Sequence, residues 1–214
     1  MTRDIGAASA PDAPVCGDYA ALEPAARDVL DFWFGTPGSA EFGTERKLWF
    51  ARDDAFDTLL RERFGATLAT ALGGGHDDWQ RTPLGALALV VVLDQFSRNC
   101  HRGSPRAFEA DAKAVQVARR MVETGTDLRL PSCQHRAFVY LPFEHDESIE
   151  SQREAIRLFG ELEREAGDLG YLDYARRHAR IIERFGRFPH RNAVLGRQST
   201  DEEIAFLRGR GSSF

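Results

Sequence analysis

Residues 82–96 read TPLGALALVVVLDQF, and no other part of the chain limits its fold so tightly. Thr82 and Pro83 form a helix cap and first-turn pair. The residues behind them are apolar on nearly every face, so the helix they build must be covered on all sides. The unbroken apolar stretch, residues 84–93, is about half of the roughly 20 residues that span a bilayer. It therefore reads as the centre of a water-soluble core, and the rest of the chain must supply the layer around it.

The flanking segments read as that layer. Pro24 opens a helix with Val29, Leu30, Trp33 and Phe34 at helical spacing, and Gly35 ends it. Asp53 or Asp54 caps a helix carrying Phe56, Leu59, Leu60 and Phe64, and a further short helix through Leu68 and Leu72 stops at Gly73. Past Gly103, Ser104 and Pro105 open a long helix with Phe108, Val115, Ala118 and Val122 on one face. Ser132 caps a short helix to about Tyr140, which Pro142 ends, and Ser148 caps one bearing Ile156, Phe159 and Leu162. Tyr171, Tyr174, His178, Ile182 and Phe185 share the last stripe. Strand signals of alternating period are missing, so the expected class is all-α, a stack of antiparallel helical hairpins. The 214 residues suit one core, with a domain over 24–208, a mobile N-terminal tail over 1–23 and a C-terminal tail over 209–214.

The charge of the whole is -5, which argues against a general nucleic-acid binder. The first residues lack the basic start and apolar block of a secretory signal, and Cys16, Cys100 and Cys133 form no CxxC pair, so the expected setting is cytoplasmic with reduced thiols. Against the acidic whole, residues 184–198 hold Arg184, Arg187, Arg191, Arg197 and His190 with no acidic residue. That local excess calls for an anionic ligand or an acidic partner from elsewhere in the chain. GGG at residues 73–75 lacks the lysine and hydroxyl of a phosphate loop, and no cofactor is expected.

Asp94 ends the apolar run with Arg98 four residues on, so the two share a face and pair, either as a brace or as part of a ligand site; Asn99 extends either version. EHDE at residues 144–147 surrounds His145 with carboxylates, which would raise its pKa as a general base. The alternative is helix capping by Asp146 and Glu147, with His145 on a backbone carbonyl. No HxxxH or HExxH spacing occurs, and no metal is expected. His178 lies on an apolar stripe, as a core histidine does. In RFPHRN the proline fixes a turn that presents His190, Arg191 and Asn192 together, a fork of donors suited to carboxylate or phosphate.

The segments DQFSRN, YLPFEHDE and RFGRFPHRNAVLGRQSTDEE, in order between Val29 and Leu207, resemble the bacterial DUF924 family, a domain of unknown function. The resemblance implies a TPR-like all-helical fold and brings no activity. Its motif positions fall on Asp94, Gln95, Arg98 and Asn99; on Arg136, Tyr140, Pro142, Glu144, His145 and Glu147; and on His178, Arg187, Pro189, His190, Arg191 and Asn192. Ser97 stands where relatives are expected to have proline. Two functions follow as expectations. One is a polar site of Asp94, Arg98, Asn99, His178, Arg187, Arg191 and Asn192 for a small anion, with Arg187 and Arg191 as its clamp and His145 or His190 as acid–base group. The other is a scaffold holding a peptide or protein partner between hairpins, with the same residues as internal bracing.

Overall fold

The protein, seen in a computed structural model, is described over residues 18–212. Cys16 and residues 1–17 of the expected tail lie outside the described residues. Among those described there is no strand, and helices pack around a single core: the protein is all-α.

Helix α1 (Pro24–Phe34) buries Ala26, Val29, Leu30, Trp33 and Phe34 and stops at Gly35. Helix α2 (Asp54–Leu72) starts from Asp53, whose carboxylate accepts from the Ala55 and Phe56 amides. The separate short helix expected around Leu68 is part of α2. Leu60, Phe64, Leu68 and Ala71 continue one buried stripe through Gly65, while Leu59 is exposed.

The all-apolar run forms a continuous helical rod: α3 (Pro83–Val90), a π-helical segment (Val91–Phe96) and α4 (Ser97–Cys100). Thr82 caps it by accepting from the Gly85 amide at 3.1 Å. Gly85 is required by packing, since a Cβ there would lie 2.3 Å from the Trp79 carbonyl oxygen. Every residue from Pro83 to Phe96 is buried. Helices α1, α5 (Asp111–Glu123) and α6 (Cys133–His145) pack on α3, and α2 packs on the π segment and α4. Fully burying each leucine or valine contributes roughly 1.5–3 kcal/mol, so this rod is a substantial source of stability.

Two expectations are corrected here, and both bear on the site. The long helix expected from Ser104 is a 3₁₀ turn (Pro105–Phe108) followed by α5. The buried face of α5 is Ala114, Val117, Ala118 and Met121, with Val115 and Val122 half-buried. Phe108 is left free of α5 to pack elsewhere. Second, α6 does not end before Pro142 but runs through it to His145. A proline removes one helix hydrogen bond; Tyr140, Leu141 and Phe143, all buried, hold the backbone helical past it. Glu144 and His145 consequently sit in the last helical turn rather than in a loop.

Helices α7 (Ile149–Ala166) and α8 (Tyr171–Phe185) follow, α7 packing on both α6 and α8. On α8 Tyr171, His178 and Ile182 are buried, whereas Tyr174 is exposed. Gly186, with φ of 68°, takes the left-handed turn that ends α8. The chain then passes a 3₁₀ turn (Pro189–Arg191) and ends in α9 (Asp201–Leu207), opened by a Thr200–Glu203 capping box. Ile181, Ile182 and Phe188 form a small second apolar cluster with Ile149, Phe185 and Phe206.

Candidate functional site

Asp94 lies in the π segment, on a rod otherwise buried among apolar side chains, and its carboxylate is 1% exposed. π turns inside α-helices recur at functional sites because they re-aim side chains that a regular helix would direct elsewhere. Here the turn brings Asp94 to three partners. Its Oδ1 is 3.0 Å from Arg98 Nη1 and 2.8 Å from His145 Nδ1, and its Oδ2 accepts from Gln95 Nε2 at 2.6 Å. Burial raises the Asp94 pKa, but Arg98 and His145 outweigh it and hold the carboxyl down to about 2. With Nδ1 facing a carboxylate, the imidazole carries its proton there. Its Nε2 makes no hydrogen bond to any described residue. Burial also outweighs Asp94 at His145 and lowers the imidazole pKa, contrary to the rise expected from its acidic neighbours.

Arg98 also donates to Asp94 O at 2.7 Å and takes Asp111 in a fork of 3.0 and 3.1 Å. Asp111, the first residue of α5, receives Arg191 Nη1 at 3.2 Å from the far end of the chain. Arg191 Nη2 donates to the His145 carbonyl at 2.9 Å. Its guanidinium lies between Phe108 and Phe188, 4.6 Å from each ring centroid, and Arg98 approaches Phe108 at 5.9 Å. Such stacking suits the flat, weakly hydrated guanidinium. Arg191 Nε is buried without a partner among the described residues. Burial and Arg98 lower the Arg191 pKa to about 10.

Glu144 extends the cluster. Its Oε1 is 3.1 Å from His178 Nδ1, which also reaches the Tyr174 carbonyl at 2.9 Å. Its Oε2 is buried with no partner among the described residues. Burial, aided by the Asp94 charge, pushes Glu144 up to about 8, so the group is a neutral acid at pH 7. Burial lowers His178 to about 3, and its ring faces that of His145 at 6.3 Å. His190, half-buried, tilts against Phe188 at 5.6 Å; burial and Arg191 lower it to about 4.

The remaining expected residues stand elsewhere. Asn99 donates to Asp57 on α2 at 2.8 Å, beside the Arg102–Asp57 pair. Arg187 forks onto Glu203 at 2.7 and 2.8 Å and reaches Gln198 O at 2.9 Å. Asn192 bonds Ser199, Glu203 and Arg197, and Arg197 takes Glu147 in a fork of 2.6 and 2.9 Å. The turn thus parts its residues, sending Arg191 into the buried cluster and Asn192 into a clasp with Arg187. Neither capping role expected for Asp146 and Glu147 appears: Ser148 caps α7, Asp146 accepts from Ser151 Oγ and Glu147 accepts from the Phe188 amide. No group of three His, Cys, Asp or Glu among the described residues is placed to hold a metal. A pocket of about 260 Å³ beside Glu23, Trp79 and Thr82 shares no residue with the cluster.

A family model described as a bacterial protein of unknown function, DUF924, matches residues 29–211. The chain belongs to the DUF924 family. The solved structure of ATU0120, a protein of unknown function from Agrobacterium tumefaciens, is 38% identical and superposes with a TM-score of 0.73, over 86% of this chain and 97% of that one. No curated protein matches. Within this DUF924 chain, Asp94, Arg98, Glu144, His145, His178 and Arg191, drawn from three separate sequence stretches, meet in one cluster. Two members escaped the sequence. Asp111 and Phe108 stand in an unremarkable stretch, and only tertiary packing brings them to the arginines.

Proposed function

We propose that this DUF924 protein binds a small anionic molecule at the buried cluster and acts on it without a cofactor, His145 serving as acid–base group. The observation that carries this reading is the Asp94–His145 pair, 2.8 Å apart, whose imidazole leaves Nε2 without a hydrogen bond among the described residues, while Arg191, held to the His145 carbonyl through Nη2, keeps a buried Nε–H without a partner there. A carboxylate that orients an imidazole through Nδ1 leaves Nε2 as the base, and an unsatisfied buried guanidinium donor suits an anionic oxygen. Asp94 and Arg98 set this geometry. Arg187, Asn192 and Asn99, expected as ligand contacts, support the turn and α4 in this reading, and His190 is the second candidate base. A TPR-like description of the helix pairs and a cytoplasmic setting belong to the same reading, supported by the buried, unpaired Cys100 and by the lack, among the described residues, of a helix able to cross a membrane.

Bracing by the same residues, with the helices offered to a peptide, is favoured by one fact: Arg98 and Arg191 both already face Asp111. Thermal unfolding with phosphate, sulfate and small carboxylates at pH 7 separates the two. Wild type gains stability with a subset of these anions, by about 2.7 kcal/mol at a hundred times Kd. Arg191→Lys keeps the charge but loses Nε and the planar fork, and the gain disappears. A wild type that responds to none of the anions at millimolar concentration defeats the anion site and leaves the brace.

A further inference from the structure

The anion reading leaves one group of the cluster unused. Glu144 is 3% exposed, its Oε1 faces His178 Nδ1 at 3.1 Å, and its Oε2 has no partner among the described residues. A buried polar atom without a partner is costly, roughly 1–3 kcal/mol, and is commonly retained where a ligand supplies the missing bond. We propose that Glu144 donates its Oε2 proton to an uncharged oxygen of the ligand, which is therefore a small oxo- or hydroxy-carboxylate rather than a simple anion.

The inference rests on the anion site above and adds the second half of its ligand. Several groups face Glu144. His178 and Tyr171 stand on α8, and the Asp94 carboxylate in the π segment. Gln152 of α7 donates to the Glu144 carbonyl at 2.7 Å, and Arg119 of α5 is turned to Ser151 and Phe143. Among the described residues no guanidinium or ammonium is paired with the Glu144 carboxyl, and the Asp94 charge that helps keep it protonated repels an anionic oxygen placed there. A carbonyl or hydroxyl oxygen meets no such repulsion. The cationic end of the cluster lies with Arg191, whose spare Nε–H takes the ligand's carboxylate. The two ends select a molecule that is charged at one end and carries a neutral acceptor at the other.

Pyruvate and propionate differ at the relevant oxygen and serve as probes. Their affinities are measured by NMR titration of the full chain between pH 6.5 and 9. Wild type binds pyruvate at least tenfold tighter than propionate, and the preference shrinks above about pH 8, where Glu144 ionises. In Glu144→Leu propionate still binds and the preference is gone. Glu144→Gln, nearly isosteric and always a donor, keeps a preference that no longer falls with pH, and it carries the test if the leucine variant fails to fold. Equal affinities in wild type, or a preference that survives in Glu144→Leu, overturn the role of Glu144 while the anion site stands. Failure of both probes to bind wild type overturns the anion site and this inference together.

Discussion

Two polar networks meet at the turn that carries Arg191 and Asn192, built from the same residue types and ending in opposite conditions. In the clasp, Arg187, Asn192, Arg197, Glu147 and Glu203 use every fork: Arg187 on Glu203, Arg197 on Glu147, and Glu147 on the Phe188 amide at 2.7 Å. Its guanidinia are about a quarter exposed. In the central cluster, Arg191 and Asp94 are almost fully buried, yet Arg191 Nε and Glu144 Oε2 lack partners among the described residues. Burial makes an unmet hydrogen bond expensive, while exposure lets water meet it. The satisfied network explains itself as a fastening of α9 and the turn to the domain. The unsatisfied one does not, and that difference is the ground on which the proposed ligand is placed there rather than in the clasp.

The largest effect is expected at Asp94. Asp94→Ala leaves His145 without its carboxylate and Arg98 with Asp111 and the residue-94 carbonyl, and breaking a buried pair costs roughly 3–5 kcal/mol. Urea denaturation measures it; a loss under about 1 kcal/mol erases the distinction between the two networks. Next comes the pH dependence of Glu144. Unfolded, it ionises near 4.5; folded, near 8, so its stabilising protonation is complete below 4.5 and lost as pH rises towards 8. Between pH 5 and 8 wild type loses on the order of 3 kcal/mol relative to Glu144→Gln, in which that slope is absent. His178 and His190 act on the other side. Their folded values, about 3 and 4, lie below the unfolded 6.5, so stability falls as pH drops below 6.5 and they must take up protons. If wild type and Glu144→Gln run parallel across pH 5–8, Glu144 is no longer a neutral buried acid and the central cluster loses one of its two spare groups.

Much of this was legible in the sequence and some was not, for reasons that can be named. The all-apolar run announced its own burial, and Thr82, Ser132 and Ser148 announced helix starts, because caps and periodicity are local. The Asp94–Arg98 pair was legible for the same reason. The π turn was not: nothing in VVLDQF distinguishes i→i+5 bonding from i→i+4, and packing decides it. Pro142 misled, since a proline ends a helix only where its neighbours gain nothing by continuing, and here three of them are buried. The excess of arginine over residues 184–198 was visible, but its partners Glu147, Glu203 and Asp111 are distant in sequence or lie past the turn. Hence the sequence showed a cationic patch where the fold has paired charges. The charge on an arginine is a local property; whether its donors are met is a tertiary one.

The smallest expected effect decides the comparison most directly. Glu147→Gln keeps an acceptor for the Phe188 amide and gives up one charged fork to Arg197, each group about a quarter exposed. Loss of charge-assisted bonds in that setting costs roughly 1–2 kcal/mol, read as a lowered denaturation midpoint with an unchanged m-value. Because Arg197 still reaches Asn192 Oδ1 and the Phe188 carbonyl, the turn keeps its course and Arg191 stays between Phe108 and Phe188. The response to anions should therefore match wild type, whereas Arg191→Lys loses it at modest cost in stability. The reverse pattern, an anion response strengthened in Glu147→Gln and intact in Arg191→Lys, would move the ligand into the clasp, where the Arg197 guanidinium, about a quarter exposed, takes it once its carboxylate is neutralised.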